Sequence, residues 1–105
     1  MQGIGQALFE EIVYDADGNL LSTNFADYAI ESAAELPGIE AVLVETPSPR
    51  NALGVKGVGE SGPIGALPAV LNAIVDALSP MGVTQIEMPA TPERVWRAIQ
   101  AAKAP

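Results

Sequence analysis

The sequence predicts an α+β fold of about three helices and three to four short strands. Two observations carry that prediction. Apolar residues recur at spacings of three and four in three separate segments, the signature of amphipathic helices. Between them lie short β-rich runs punctuated by Asp-Gly and Pro-Gly turns, which read as strands. The length, 105 residues, suits a single domain over 1–105 and not two.

Residues 2–12 place Ile4, Leu8 and Ile12 on one helical stripe, with Ala7 beside it. No capping residue precedes the stripe, so the chain is expected to have been cut from something longer rather than begun here. Ile12-Val13-Tyr14, an Asp15-to-Asn19 turn and Leu20-Leu21 predict a hairpin. Pro37-Gly38 is a turn. Ile39 to Thr46 reads as a strand, with Val42 and Val44 on one face and Ala41 and Leu43 on the other. Pro47 and Pro49 end it, because proline cannot donate to a ladder.

Gly54, Gly57, Gly59 and Gly62 then fall within nine residues. Ile64, Leu67, Val70, Leu71, Ile74, Val75 and Leu78 follow at helical spacing and predict a helix buried on a broad face. Ser61 is placed to cap it and Pro63 suits its first turn. Pro68 requires either a later start of the regular helix or a kink. Gly82 to Met88 reads as a short extended piece. Thr91-Pro92-Glu93 supplies an N-cap, a proline at the first helical position and an acid in the first turn, so a last helix runs from about 92 to 103.

Composition excludes several functions. The chain has no His and no Cys. Zinc and iron–sulfur centres, haem with its usual ligands, a Ser-His-Asp triad and a catalytic thiol therefore lack their residues, and no protein metal ligand set is expected. A net charge of −8 opposes phosphate-backbone binding, so no nucleic-acid partner is expected. No unbroken run of 18 apolar residues is present, so no membrane span is expected. No signal peptide is recognisable, and the cytoplasm is the expected compartment. Residues 1–49 hold nine acids and no base. That half is either a solvated acidic face or a docking surface for a basic partner. A mean hydropathy of +0.25 with three apolar stripes is more than a chain of this size covers alone, so it is expected to pack against something larger.

The glycine loop carries the chemistry. Gly57-Val58-Gly59-Glu60-Ser61-Gly62 fits the dinucleotide pattern G-x-G-x-x-G. That fold also needs a preceding strand and an acid at the end of a second strand, and Asp76 lies inside a helix instead. Gly54 to Ser61 fits a P-loop except that Glu60 stands where the lysine must be, and a carboxylate there repels phosphate. Two readings remain. One is a plain glycine turn leading into a helix. The other uses Glu60, a carboxylate at a helix N-terminus, as a base toward something the glycines let in close.

At these residues the chain resembles the C-terminal segment of the molybdopterin-binding large subunit of the molybdenum hydroxylases, the family of xanthine dehydrogenase, aldehyde oxidase and aerobic carbon monoxide dehydrogenase. It is most similar to the carbon monoxide dehydrogenase-like branch. The matching elements span nearly the whole chain. They are Gln2-Gly-Ile-Gly-Gln-Ala-Leu8, Tyr14-Asp-Ala-Asp-Gly18, Asp27-Tyr28, Thr46-Pro-Ser-Pro49, Lys56-Gly-Val-Gly-Glu-Ser61, Asn72-Ala-Ile-Val-Asp-Ala-Leu78 and Met88-Pro-Ala-Thr-Pro-Glu-Arg-Val-Trp96.

The resemblance implies a fragment of a molybdopterin-binding domain with Glu60 as active-site base, taking a proton from the molybdenum-bound hydroxide. It implies that Val58, Gly59 and Glu60 approach the molybdopterin cofactor, of the cytosine dinucleotide type, through small side chains and backbone. Lys56 is left between a supporting salt bridge and a cofactor contact. Asp27, Tyr28, Trp96 and the last helix are implied to be scaffold. The implied partners are the remainder of the molybdopterin-binding subunit and the iron–sulfur and FAD subunits. The implied reaction is oxidative hydroxylation of an aldehyde, N-heterocycle or similar carbon with water as oxygen source. The family's subunit is several times longer, and its other cofactor loops lie upstream of the matched segment. The isolated chain is therefore expected to hold no cofactor and to be inactive. The alternative is a non-catalytic scaffold module, burying its apolar faces as a homo-oligomer.

Overall fold

A computed structural model describes residues 1–103. Its order is helix α1 (Gln2–Leu8), helix α2 (Ser61–Leu78), a 3-10 turn (Ser79–Met81) and helix α3 (Pro92–Lys103). Each predicted helix forms. α1 is shorter than its apolar stripe, ending at Leu8 rather than Ile12. α2 runs unbroken through Pro68. α3 has the predicted span, and Thr91 caps it: the Arg94 amide donates to Thr91 Oγ1 at 3.3 Å.

The predicted strands do not form. Among the described residues the only ladder contact is one antiparallel bridge, Tyr14 to Leu20. The α+β prediction is corrected to three helices joined by irregular chain. The hairpin survives as a turn. Asp15 Oδ1 accepts from the amides of Asp17 (2.9 Å) and Asn19 (2.8 Å), and Asn19 Nδ2 donates to Asp15 Oδ2 at 2.9 Å. Gly18 takes φ +83°, which glycine adopts without a Cβ penalty. From 37 to 47 no regular element is assigned, and Val42, Leu43 and Val44 are 73%, 91% and 81% exposed. A β-rich sequence becomes a strand only when a second backbone accepts its hydrogen bonds. Among the described residues none lies alongside this one.

Three contacts join parts of the chain far apart in sequence. α1 packs on α2 at Gly3, where an added Cβ would come 2.6 Å from Ala66 Cβ and 3.1 Å from the Pro63 backbone. The Ala90 amide donates to the Ala7 carbonyl at 2.6 Å, tying the Met88–Thr91 corner to the end of α1. Arg94 on α3 pairs with Glu11 and donates to the Pro89 carbonyl at 3.0 Å. At Gly5 an added Cβ would meet the Glu31 carboxylate, the far end of a side chain that can swing aside. Glu31 Oε2 is buried against it with no hydrogen-bond partner. Tyr28 lies beside this corner and donates its hydroxyl to Glu10 Oε2 at 2.5 Å. That bond, with the Glu10 charge, holds the phenol above its ordinary pKa and supports a scaffold role.

The buried apolar core is small: Ala7, Leu78, Val83 and Ala90. The α2 face predicted to be broadly buried is only half-covered, and Ile64 is largely exposed. The three helices leave an apolar cleft of 290 Å³ between Leu8, Phe9, Ile74, Ala90, Pro92 and Val95. Total accessible surface is 8119 Å², where a folded monomer of this mass exposes about 5,500 Å². The radius of gyration is 18.0 Å, against about 13 Å for a closed domain of 100 residues. Ser61–Met81 has a mean hydropathy of 1.5 and is long and apolar enough to cross a membrane. The expectation of no such segment is corrected on that point. Gly, Ser, Pro and Asn interrupt its large apolar side chains, and Asp76 is its one charged residue.

Two outcomes follow from this packing. Gly3→Ala should destabilise the chain by about 1–3 kcal/mol in urea unfolding, because the clash exceeds the helix-propensity gain. Ala66→Gly should recover part of that loss. Asp15 is held below its ordinary pKa, chiefly by the Asn19 side chain and then by backbone amides. Its contribution to stability is present above the unfolded-state value and is lost as pH falls through the lowered folded value. A carboxyl NMR titration should find Asn19→Ala moving the Asp15 midpoint upward.

Candidate functional site

The Gly54–Gly62 loop is held at both ends and free between. At its upstream end, residues 47–55 form a stapled turn. The Ser48 amide donates to the Gly54 carbonyl at 2.9 Å, and the Gly54 amide to the Asn51 carbonyl at 3.1 Å. The Asn51 side chain then grips Val55 twice: Nδ2 donates to the Val55 carbonyl at 2.9 Å, and Oδ1 accepts from the Val55 amide at 3.1 Å. Gly54 is needed here, with φ +68° and an added Cβ only 2.9 Å from Pro47 Cβ.

The downstream end is the start of α2. The Ser61 amide donates to the Val58 carbonyl at 3.2 Å, and Ser61 Oγ donates to the same oxygen at 2.8 Å. Ser61 is thus the first helical residue and not the cap. The cap position falls on Glu60 (φ −103°, ψ −3°), whose carbonyl accepts from the Ile64 amide at 3.2 Å. The Glu60 side chain makes no capping bond, and it is exposed. A carboxylate here meets the positive end of an 18-residue helix while remaining free to accept a proton from outside the chain.

The three predicted site residues, Val58, Gly59 and Glu60, therefore sit together on an exposed segment between two anchors, with Val58 69% exposed. Gly57, Gly59 and Gly62 are informative by contrast with Gly54. None has positive φ, and an added Cβ at any of them would meet nothing within 4 Å. Neither backbone conformation nor packing within this chain asks for glycine there. Space is left there for a group outside the chain. Beside the loop an open cavity of 360 Å³ is lined by Val44, Thr46, Pro47, Leu53, Lys56 and Val58, among others. Lys56 Nζ donates to Thr46 Oγ1 at 3.2 Å. It forms no ion pair among the described residues. No cluster of metal-ligating side chains lies among the described residues.

Asn51 was not singled out by sequence. Asn near Pro49 signals a turn, but nothing in that signal says which backbone the amide will grip. Trp96 is 60% exposed on α3, away from the loop in sequence and packing.

Comparison with known proteins gives consistent matches. Residues 1–37 match a family described as molybdopterin cofactor-binding domain. The large subunit of nicotine 6-hydroxylase from Paenarthrobacter nicotinovorans is 54% identical over 98 residues, covering 93% of this chain and 12% of that subunit. The crystal structure of quinoline 2-oxidoreductase from Pseudomonas putida 86 superposes with a TM-score of 0.85 at 42% identity, covering 99% of this chain and 14% of that one. The crystal structure of the Cu,Mo carbon monoxide dehydrogenase in its carbon monoxide-reduced state superposes with a TM-score of 0.89 at 36% identity, covering 96% and 13%. The chain thus spans about one-eighth of the length of these relatives.

Because the loop glycines face open space, Gly57→Ala and Gly59→Ala should change the unfolding free energy of this chain by no more than about 0.5 kcal/mol. Gly54→Ala should destabilise it by more than that. Chemical denaturation of the three variants checks the contrast.

Proposed function

The chain belongs to the large-subunit family of the molybdenum hydroxylases, and we propose that it supplies such an enzyme with its active-site base, Glu60, and with one wall of the cofactor site. The observation that carries this reading is the Gly57–Gly62 segment. Its glycines have no purpose inside the chain, and they flank a carboxylate that is exposed and unpaired among the described residues.

The cofactor of the assembled enzyme is molybdenum with molybdopterin, which supplies the two-electron oxidation and activates water as the oxygen source. The residues of this chain fit such a group. Gly57 and Gly59 leave room for backbone approach, and Val58 offers a small apolar side chain at the same point. Glu60 lies at the helix N-terminus, exposed to a group outside the chain, and accepts the proton that the attacking oxygen must lose. We take the cofactor to be the cytosine dinucleotide form. The substrate is a carbon electrophilic enough for attack by a water-derived oxygen, such as an aldehyde or N-heterocycle.

The partner is the rest of a molybdopterin-binding subunit, together with iron–sulfur and FAD subunits that carry electrons away. The accessible surface in excess of a closed domain, about 2,600 Å², is of the size that obligate interfaces bury. We read α2 as an interior helix of that assembly rather than a membrane span, because α1 already packs against it at Gly3 and Ala66. The cytoplasm is the proposed location.

In the assembled enzyme, Glu60→Gln should lower kcat by at least about 10²-fold. Molybdenum content, measured by plasma mass spectrometry, should stay near the unsubstituted level. Turnover at the original rate would remove the assignment.

A further inference from the structure

We infer that Asn51 is a positioning residue for Glu60, acting through the backbone of the glycine loop; this rests on the reading of Glu60 as the base. Between Gly57 and Glu60 the loop is held only through the Val58 and Glu60 carbonyls, which accept from Ser61 and Ile64 at the start of α2. A Cβ added at Gly57, Gly59 or Gly62 would meet nothing within 4 Å, Glu60 makes no side-chain bond at the helix start, and Val58 is exposed. Their position is therefore set by the two anchors between which they hang. The downstream anchor is α2 itself, reinforced by Ser61 bonding back to Val58. The upstream anchor is the Asn51 amide.

That amide is suited to the task. It offers one donor and one acceptor in a plane, and it engages both polar groups of Val55, as a neighbouring strand would. It thus fixes the peptide plane from which Lys56 and Gly57 depart. The Ser48–Gly54 and Gly54–Asn51 backbone bonds make the platform under Asn51. A glycine-rich segment transmits such an orientation poorly unless both ends are fixed, because glycine loses the most conformational entropy on ordering. Lys56 adds a third tie through Thr46, but a single flexible donor does not define a plane. The side chain of Asn51 is exposed, and both of its hydrogen bonds go to the Val55 backbone.

The test uses Asn51→Asp and Asn51→Ala, with Glu60→Gln as reference. Asp retains the acceptor for the Val55 amide but cannot donate to the Val55 carbonyl. Ala loses both bonds. In the 105-residue chain, amide exchange at Val55 followed by NMR should accelerate in Asn51→Ala by about tenfold or more, with Asn51→Asp between it and the parent. In the assembled enzyme, kcat should fall in the same order, by about 10- to 100-fold for Ala, as expected when a reacting group is misplaced by about an ångström. KM and molybdenum content should stay close to the parent values. Unchanged Val55 exchange in both variants overturns the inference. So does loss of molybdenum in both, which would make Asn51 a residue of folding rather than positioning. Full kcat in Asn51→Ala with an inactive Glu60→Gln overturns the role of Asn51 alone. Retained turnover in Glu60→Gln removes the base reading itself, and with it the group that Asn51 positions.

Discussion

The close approach of α1 to α2 at Gly3 is the contact on which the rest of the arrangement depends. Two helices separated by 52 residues of chain meet where one has no side chain and the other has only Ala66 and Pro63. Only a glycine lets the backbones come so near. Once α1 is seated, its C-terminal carbonyl at Ala7 receives the Ala90 amide, and the segment after it presents Glu11 to Arg94. The start of α3 is thereby tied to the start of the chain. The orientation of α2, and so the place of its N-terminal Glu60, is fixed relative to the same corner.

The loop before α2 is organised on a different principle. It is not packed but suspended. Its backbone hydrogen bonds lie at its ends, from Ser48 to Val55 on one side and from Val58 to Ile64 on the other, with Lys56 adding one side-chain tie to Thr46 between them. A packed loop would owe its glycines to its neighbours, as Gly54 does to Pro47. The glycines that follow owe nothing to this chain. Gly54 is thus fixed by its own chain, and Gly57, Gly59 and Gly62 leave open space beside the loop.

The exposed apolar surface has the same cause as the missing strands. Val42, Leu43 and Val44 are bare on both faces of an extended run, and α2 shows much of its apolar side. Neither surface is covered by another element among the described residues. The match of this backbone to crystal structures of chains some seven times longer, with TM-scores of 0.85 and 0.89, places the same path inside a larger protein in those relatives.

The sequence by itself determined the local features. The three helices, the Asp15–Asn19 turn, the Thr91 cap and the grouping of Val58, Gly59 and Glu60 ahead of α2 all depend on residues within a few positions of one another. Periodicity and capping chemistry report such short-range interactions directly. The family resemblance was legible for a related reason, since its motifs are short and nearly contiguous. The early end of α1, where Ala7 receives the Ala90 amide, and the Glu11–Arg94 pair were decided only by tertiary structure. Each depends on which distant group arrives within hydrogen-bonding reach. The strand at 39–46 failed for that reason: β-propensity describes a surface suited to pairing, and pairing needs a partner that propensity cannot supply.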